Sequence, residues 1–247
     1  MRHTRGIKGI NRCQKGVTMM NDAMTFATFA CCFAPVERDE WNAIRADASW
    51  SDFLSGARSL LQDERPLGAT LPPIGRARRG EPLSDFLAET EVRALFAPPT
   101  HDEKTSFSAR HFTGGLPQST VPVESLYTAW SKPGDGPFAG RTGLYLGDSA
   151  LYMRDLMRSM GIAIPDEFAS TPDHLAIELD LIATMLEAGM AAEAQTFCIE
   201  RLAWLGSYRT KLMALGDEGL FYLALVDVLI GIRARQEALA SASAASA

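Results

Sequence analysis

The sequence lacks the features that define secreted, membrane-spanning or nucleic-acid-binding proteins. Only 4 of its 247 residues are cysteine, and none is spaced as Cys-x-x-Cys, so no disulfide framework is expected and a reducing compartment fits the chain. The formal net charge is −6, which argues against broad nucleic-acid binding because that needs a basic face. No apolar run reaches the ~18 residues of a membrane helix. The longest run, Leu220 to Ile232, carries Asp227 and predicts a buried core helix.

Sequence motifs for common enzyme chemistry are also missing. The chain has no Gly-x-Ser-x-Gly elbow, no phosphate-binding loop and no Gly-x-Gly-x-x-Gly after a strand. The Gly-rich stretch PGDGPFAG is not followed by a lysine and a hydroxyl residue, so it predicts a plain loop. Arg78 and Arg79 are adjacent but internal, within a Pro- and Gly-rich stretch from Arg65 to Pro82 that predicts a basic surface loop.

The N-terminus has two interpretations. Residues 1–16 are basic and AMTFATFACCFA behind them is apolar, an order that imitates a secretory signal peptide. The alternative is a disordered basic arm over residues 1–20, with the true start at Met19 or Met20. The apolar part is poor in leucine and CCFAPVERDEW is a poor cleavage site, which favours the arm.

Helical periodicity runs through most of the rest. No β-branched alternation is long enough to indicate a sheet, so we predict an all-α protein, a single globular helical bundle with disordered termini. Helices are expected from Asn21 to Ala34, in ERDEWNAIRAD, SWSDFLSGARSLLQ, LSDFLAETEVRALFA and VESLYTAW, then at about 146–160, 172–189, 191–205 and 218–237. Residues 98–122 predict a long irregular connection, and residues 239–247 a disordered tail. The domain would span residues 21–238.

The predicted helix from Pro172 to Gly189, capped by Thr171, carries a carboxylate in an unfavourable place. At about 100° per residue, Glu178 lies at the centre of a wide apolar arc, with His174 one turn before it. A buried carboxylate is costly unless it is paired. Three interpretations stay open: His174 and Glu178 satisfy each other, Glu178 meets an arginine, or the two hold a metal.

A metal site would need a third protein ligand. His101 and His111 are the available histidines in the long connection, but no spacing ties them to this helix. Tyr127 and Trp130, three residues apart, lie on one face of their predicted helix. They predict either ordinary core packing or an apolar groove wall that takes a peptide.

Two segments together resemble a known family. TPDHLAIELDLIATMLEAGM is similar to the Pro-x-Asp-His or Glu-Pro-Asp-His signature of the TorD/DmsD family of redox-enzyme maturation chaperones, which opens a central helix of the form Asp-His-x-x-x-Glu-Leu. VPVESLYTAW is similar to that family's Pro-x-Glu-Ser-Val-Tyr segment, and the order of the two fits. Looser likeness in the flanks extends the resemblance over about residues 21–238. Arg201 departs from the pattern, because many members have a histidine before the Trp-Leu pair.

The resemblance implies a cytoplasmic, all-helical chaperone that is not an enzyme and holds no cofactor of its own. Its partners would be the twin-arginine signal peptide and the apo-form of a molybdopterin oxidoreductase catalytic subunit. It would assist cofactor insertion and delay export, with no nucleic acid and no membrane insertion. Carried over by position, the peptide-binding residues are Glu124, Ser125, Tyr127, Pro172, Asp173, His174 and Glu178, and Trp130 is added on spacing alone.

A twin-arginine peptide combines a guanidinium pair with an apolar stretch, so its receptor needs carboxylates beside an apolar groove. Asp173 at a helix N-terminus would stay ionised, and Glu178 would line the groove floor or anchor His174. Two other functions remain: a small metal-dependent hydrolase using His174 and Glu178, and a structural module that shares only the fold. A homodimer formed by helix exchange also remains open.

Overall fold

A computed structural model describes residues 22–62, 87–131, 134, 137 and 139–245 of the chain. The predicted N-terminal arm (1–20) and the loop from Arg65 to Pro82 lie outside the described residues. Ten α-helices form the described part, which contains no β-strand, so the all-α prediction is confirmed. They are α1 Asp22–Phe33, α2 Arg38–Ile44, α3 Asp47–Gln62, α4 Glu89–Leu95, α5 His101–His111, α6 Asp148–Ser159, α7 Leu175–Glu187, α8 Ala191–Arg201, α9 Leu205–Met213 and α10 Leu220–Ala245.

The core is built around the contact between α1 and α7, the most extensive helix pair of the molecule. Nearly every side chain of α1 is buried, and the apolar arc of α7 lies against it. Helix α3 approaches α1 closely at Gly56, where a Cβ atom would overlap the Thr25 side chain. Aromatic rings fill the space between α1, α3, α5 and α10, for example Phe29 against Phe53 and Phe107 against Tyr222.

Helix α10 contains the longest apolar run and is a buried core helix, as predicted. Asp227 in its middle is fully buried and is compensated by Arg209 of α9, whose Nε and Nη2 each donate to one carboxylate oxygen. Within the described part of the chain, no helix is both long and apolar enough to cross a membrane. The three described cysteines, Cys31, Cys32 and Cys198, are free and buried.

Helix α5 lies where the sequence predicted an irregular connection, and that prediction is wrong for residues 101–111. The helix begins with a capping box: Thr100 Oγ1 accepts from the Glu103 amide, and Glu103 Oε2 accepts from the Thr100 amide at 2.7 Å. Its buried face is largely polar, since Lys104 and His111 accompany Phe107. Apolar periodicity therefore gave little sign of it.

Helix α9 also differs from the prediction, which ended the preceding helix at about Leu205. Helix α8 ends at Arg201, and a new helix starts at Leu205 after a short break that has neither glycine nor proline. The break brings Trp204 into the core and leaves Arg201 at a helix terminus. The break was not predicted, because helical periodicity continues through it and no glycine or proline marks it.

Helix α7 starts three residues later than predicted. Its N-cap is His174, not Thr171. Residues before Leu175 instead bond to the segment around Val123, and the predicted helix VESLYTAW is reduced to a 3-10 turn at Glu124–Leu126. Tertiary pairing between these two segments overrides their local helix preference.

The C-terminal residues also differ from the prediction of a disordered tail over 239–247. Helix α10 continues through residue 245, and residues 246–247 lie outside the described part. Alanine has the highest helix propensity, and the stretch has no glycine or proline to end the helix. Its low hydrophobicity argued for disorder, but helix propensity continues an existing helix at little cost.

Candidate functional site

The two segments that carry the family resemblance bind each other. Residues 121–125 and 172–175 form what we call the clasp. The amide of Glu124 donates to the Asp173 carbonyl at 3.0 Å, and the amide of Leu175 donates to the Pro122 carbonyl at 2.8 Å. The amide of Ser125 donates to Asp173 Oδ2 at 2.7 Å. Asp173 thus joins the clasp through both backbone and side chain, and the sequence motifs form one structural unit.

Three carboxyl groups meet behind the clasp, and we call Glu124, Asp173 and Glu178 the acidic cluster. Asp173 and Glu178 have no exposed surface, and Glu124 has 4%. Arg201, at the end of α8, forms an ion pair with Glu124 through Nη2 and Oε2. One guanidinium therefore lies among three carboxyl groups, an arrangement that keeps at least one of them protonated.

Glu178 is the carboxyl group of the cluster at which the protonated form is favoured. Burial raises its pKa well above the usual value, and the charge and hydrogen bond of Glu124 raise it further, while Arg201 lowers it. Trp204 Nε1 donates to Glu178 Oε2 at 3.2 Å. The prediction that Glu178 is buried is confirmed. The charge of Arg201 reaches Glu178, but the ion pair of Arg201 is with Glu124.

No hydrogen bond joins the side chains of His174 and Glu178 in the described part of the chain, and the imidazole has another role. Nδ1 accepts from the Ala176 amide at 3.2 Å, so the ring caps α7. The ring packs on Phe168 with centroids 4.7 Å apart. Burial lowers the pKa of His174 to about 3, with a further contribution from the charge of Lys104. The ring is therefore neutral near pH 7.

Tyr127 and Trp130 lie half-buried at the outer side of the clasp. The Tyr127 hydroxyl donates to the Val121 carbonyl at 3.0 Å, and its ring stacks on Trp204 with centroids 5.3 Å apart. Trp204 thereby connects Tyr127 to Glu178. Trp130 Nε1 donates to the Tyr145 carbonyl at 3.0 Å, which holds the following loop against the clasp.

This loop and the start of α6 expose large hydrophobic side chains next to the acidic cluster. Tyr145, Leu146, Leu151 and Tyr152 are each 40–50% exposed, and we call them the aromatic patch. The charge of Asp173 contributes, after burial, to a raised pKa of Tyr145, so the patch lies within electrostatic reach of the cluster. The guanidinium of Arg201 lies 5.0 Å from the centroid of the Tyr152 ring.

Backbone geometry fixes the patch in place. Leu146 has φ of 60°, a left-handed conformation that is unfavourable for leucine. Gly147 follows it, and a Cβ there would lie 2.9 Å from the Trp130 carbonyl oxygen. Strained residues of this kind cost about 1–3 kcal/mol and persist only where the surroundings over-determine them.

Not every predicted site residue is placed as the sequence suggested. The structure brings together Glu124, Ser125, Asp173 and Glu178, with Pro172 and His174 buried beside them. Asp173 was expected at a helix N-terminus. The structure places it two residues before α7, fully buried, with Oδ2 accepting from the Ser125 amide. Arg201, Trp204, Tyr145 and Tyr152 were not predicted as site residues. Only the Trp-Leu pair after Arg201 drew attention to that region.

The geometry gives no support to a metal centre on His174 and Glu178. Within the described ranges, no three side chains of the His, Cys, Asp and Glu types come together in a group able to hold a metal ion. His101 Nε2 donates to the Val36 carbonyl, and His111 Nδ1 donates to the Gln118 carbonyl, each at 3.0 Å. Both histidines serve the packing of α5.

Comparison with known proteins adds a family and one curated relative. The family described as Nitrate reductase delta subunit matches residues 87–213, just over half of the chain and all of the clasp and acidic cluster. The chaperone protein TorD of Shewanella pealeana is 32% identical over 117 residues, which cover 46% of this chain and 50% of the relative. The chain thus spans about half the length of the curated relative it matches. No solved structure matches it.

Proposed function

Because the chain belongs to the nitrate reductase delta subunit family, which includes the TorD/DmsD-type chaperones, we propose that it is a redox-enzyme maturation chaperone and not an enzyme. Its client would be the apo-form of a molybdopterin-dependent oxidoreductase catalytic subunit. It would bind the client's twin-arginine signal peptide in the cytoplasm, assist cofactor insertion and delay export. The likeness to a protein named as a chaperone supports the general activity, and the site supports the ligand.

The observation that carries the proposal is the aromatic patch bordering the acidic cluster. A twin-arginine peptide presents guanidinium groups followed by an apolar stretch. Guanidinium groups pair with carboxylates and stack on aromatic rings, and an apolar stretch needs exposed hydrophobic surface. Arg201 already makes both kinds of polar contact here, with Glu124 and Tyr152. The same surroundings would suit a peptide arginine.

The roles of the predicted peptide-binding residues follow from their burial. Tyr127 and Trp130 are half-buried and would form the inner edge of the peptide groove. Glu124 would supply negative charge from behind, and Glu178, whose raised pKa favours the protonated form, would lie beneath it. The clasp would be held in shape by four residues whose side chains are buried, namely Ser125, Pro172, Asp173 and His174.

Calorimetry with synthetic peptides tests the proposal. A twin-arginine peptide that includes its apolar segment should bind with micromolar affinity, about −8 kcal/mol, and its twin-lysine version should bind more weakly because lysine forms no bidentate fork. Leu151→Ser should weaken binding of both peptides. Phe96→Ser, on the similarly exposed Phe96 at the end of α4, is the matched control and should bind normally.

Two results would count against the proposal. Absence of binding to signal peptides from molybdoenzymes would remove the chaperone function. Equal affinity for the twin-arginine and twin-lysine peptides would remove the carboxylate–guanidinium mechanism and leave only hydrophobic contact with the patch.

A further inference from the structure

We propose that Arg201 is an internal substitute for the ligand: its guanidinium occupies the acidic cluster in the free protein, and an arginine of the bound peptide displaces it. This inference rests on the proposed function and adds a mechanism of competition to it. Four features of the site support it: the position of Arg201, its incomplete pairing, the acceptors that it leaves unused and the ring against which it lies.

Arg201 sits at the boundary between the cluster and the surface. It is the last residue of α8, and its side chain is 17% exposed, whereas the Glu124 side chain that it contacts is 5% exposed. A residue at a helix terminus can swing its side chain outward without moving the helix. The guanidinium can therefore leave the cluster through rotation of side-chain torsions alone.

The ion pair of Arg201 with Glu124 has fewer hydrogen bonds than the partly buried ion pair of Arg209 with Asp227. Arg209 donates to Asp227 through both Nε and Nη2, which is a bidentate fork. Arg201 bonds Glu124 through Nη2, and its Nε is buried without a hydrogen-bond partner among the described residues. A single-contact pair is easier to replace than a bidentate one, because the ligand can improve on it.

The cluster also has acceptors that Arg201 leaves unused. Asp173 Oδ1 and Ser125 Oγ are buried and have no hydrogen-bond partner within the described part of the chain. Buried polar atoms are normally satisfied. An unused carboxyl oxygen and an unused hydroxyl near a guanidinium that is partly exposed indicate a site that accepts more donors than Arg201 supplies, as a peptide arginine would.

Tyr152 provides the position to which Arg201 can move. The ring is 45% exposed and already lies under the guanidinium. After displacement, Arg201 can keep this contact while its charge regains water. The exchange then trades one guanidinium for another in the cluster, and re-entry of Arg201 would help to release the peptide.

Chemical rescue tests whether the cluster is a guanidinium site, independently of any peptide. Arg201→Ala should lower the melting temperature, because it leaves the carboxylates uncompensated. Millimolar ethylguanidinium should restore it, and ethylammonium, with the same charge but no fork, should not. Arg233→Ala is the matched control, since Arg233 lies nearby on α10 and donates to the Ile199 carbonyl. The melting temperature of Arg233→Ala should not rise when ethylguanidinium is added. An equal rise in both variants would overturn the inference.

Peptide binding tests displacement itself. Without its internal competitor, Arg201→Ala should bind the twin-arginine peptide at least tenfold more tightly than the native protein. Arg201→Lys, which keeps the charge, serves if the alanine variant does not fold and should bind more tightly by a smaller factor. Equal or weaker binding by the variant would overturn displacement, whereas no binding by either protein would overturn the proposed function.

A double variant tests whether the peptide arginine binds in the acidic cluster. Glu124→Gln combined with Arg201→Gln removes both charges of this ion pair together, so neither partner of the pair is left alone. This protein should prefer the twin-arginine over the twin-lysine peptide much less than the native protein does. An undiminished preference for arginine would place the guanidinium elsewhere and overturn the inference.

Discussion

At the scale of single residues, the neutral His174 makes stability depend on pH. The pKa of this ring is about 3 in the folded protein and about 6.5 in an unfolded chain. Its contribution is therefore fully present above pH ~6.5 and is lost as the pH falls toward 3, with a slope of up to ~1.4 kcal/mol per pH unit. His174→Asn keeps an N-cap acceptor and should show a shallower acid loss in denaturant unfolding.

Phe168→Leu is the control for this prediction. It removes the ring contact of His174 but keeps the imidazole, so the acid slope should remain. If His174→Asn and the native protein lost stability in parallel on acidification, the imidazole would not be the group that titrates.

Glu178 contributes with the opposite sign. Its pKa is raised in the folded protein, so its contribution is present below the ordinary pKa of about 4.5 and declines as the pH rises toward the folded value. Glu178→Gln cannot ionise and imitates the protonated acid beside Glu124. Its stability relative to the native protein should therefore increase as the pH rises above about 4.5. Glu193→Gln, on the exposed surface of α8, is the control. A pH-independent difference for Glu178→Gln would mean that the group is ionised.

The residue-scale predictions from sequence succeeded where one helix contained the answer. The position of Glu178 in an apolar arc predicts burial and pairing without knowledge of any other element. The neighbours of Glu178 could not be predicted, because they come from another part of the chain. Trp204 donates to Glu178 from the break after α8, and the charge of Arg201 acts on it from the end of α8. Asp173 was misplaced because its hydrogen-bond partner, Ser125, lies 48 residues away.

At the scale of elements, the capping box of α5 can be tested directly. Thr100→Ala removes the side-chain acceptor for the Glu103 amide and should cost about 1 kcal/mol in urea unfolding. Thr100→Ser keeps the hydroxyl and should cost much less. The loss of stability should affect unfolding of the whole protein and not only fraying of α5, since α5 places Phe107 in the core. Equal stability of the two variants would show that the helix does not depend on this cap.

The elements that the sequence missed share a physical cause. Helix α5 has few apolar residues, so its signal lies in the Thr100–Glu103 cap and not in periodicity. The break between α8 and α9 has no breaker residue, and the 3-10 turn at Glu124–Leu126 is shortened by its contacts with residue 173. Long amphipathic helices such as α3, α6 and α7 were located, with ends misplaced by up to three residues.

At the scale of the whole molecule, the acidic balance should act on association. The net charge of −6 attracts a basic peptide over a Debye length of about 10 Å at 0.1 M salt. Rising salt should therefore slow association more than it speeds dissociation. Stopped-flow measurements with the twin-arginine peptide, against one with its basic residues replaced by glutamine, would check this. The same salt dependence for both peptides would exclude electrostatic steering.

Family membership was also predictable from the sequence, because two short motifs carry it in the expected order. The aromatic patch was not. Tyr145, Leu146, Leu151 and Tyr152 look like ordinary hydrophobic residues around a helix start, and only tertiary structure shows that they stay exposed. The resemblance thus indicated the residues that build the clasp, and the structure indicated the surface that the clasp supports.

The clasp also has a consequence for how such a protein can diversify. It ties together two points of the chain, and residues 126–171 between them form a closed loop that carries the aromatic patch. The entropy of closing a loop grows only logarithmically, so even doubling its length costs about 0.6 kcal/mol. Insertions and substitutions within the loop can therefore accumulate while the tie and the helices beneath it stay unchanged. If the patch binds the client as proposed, a lineage could exchange one client for another through substitutions in this loop alone.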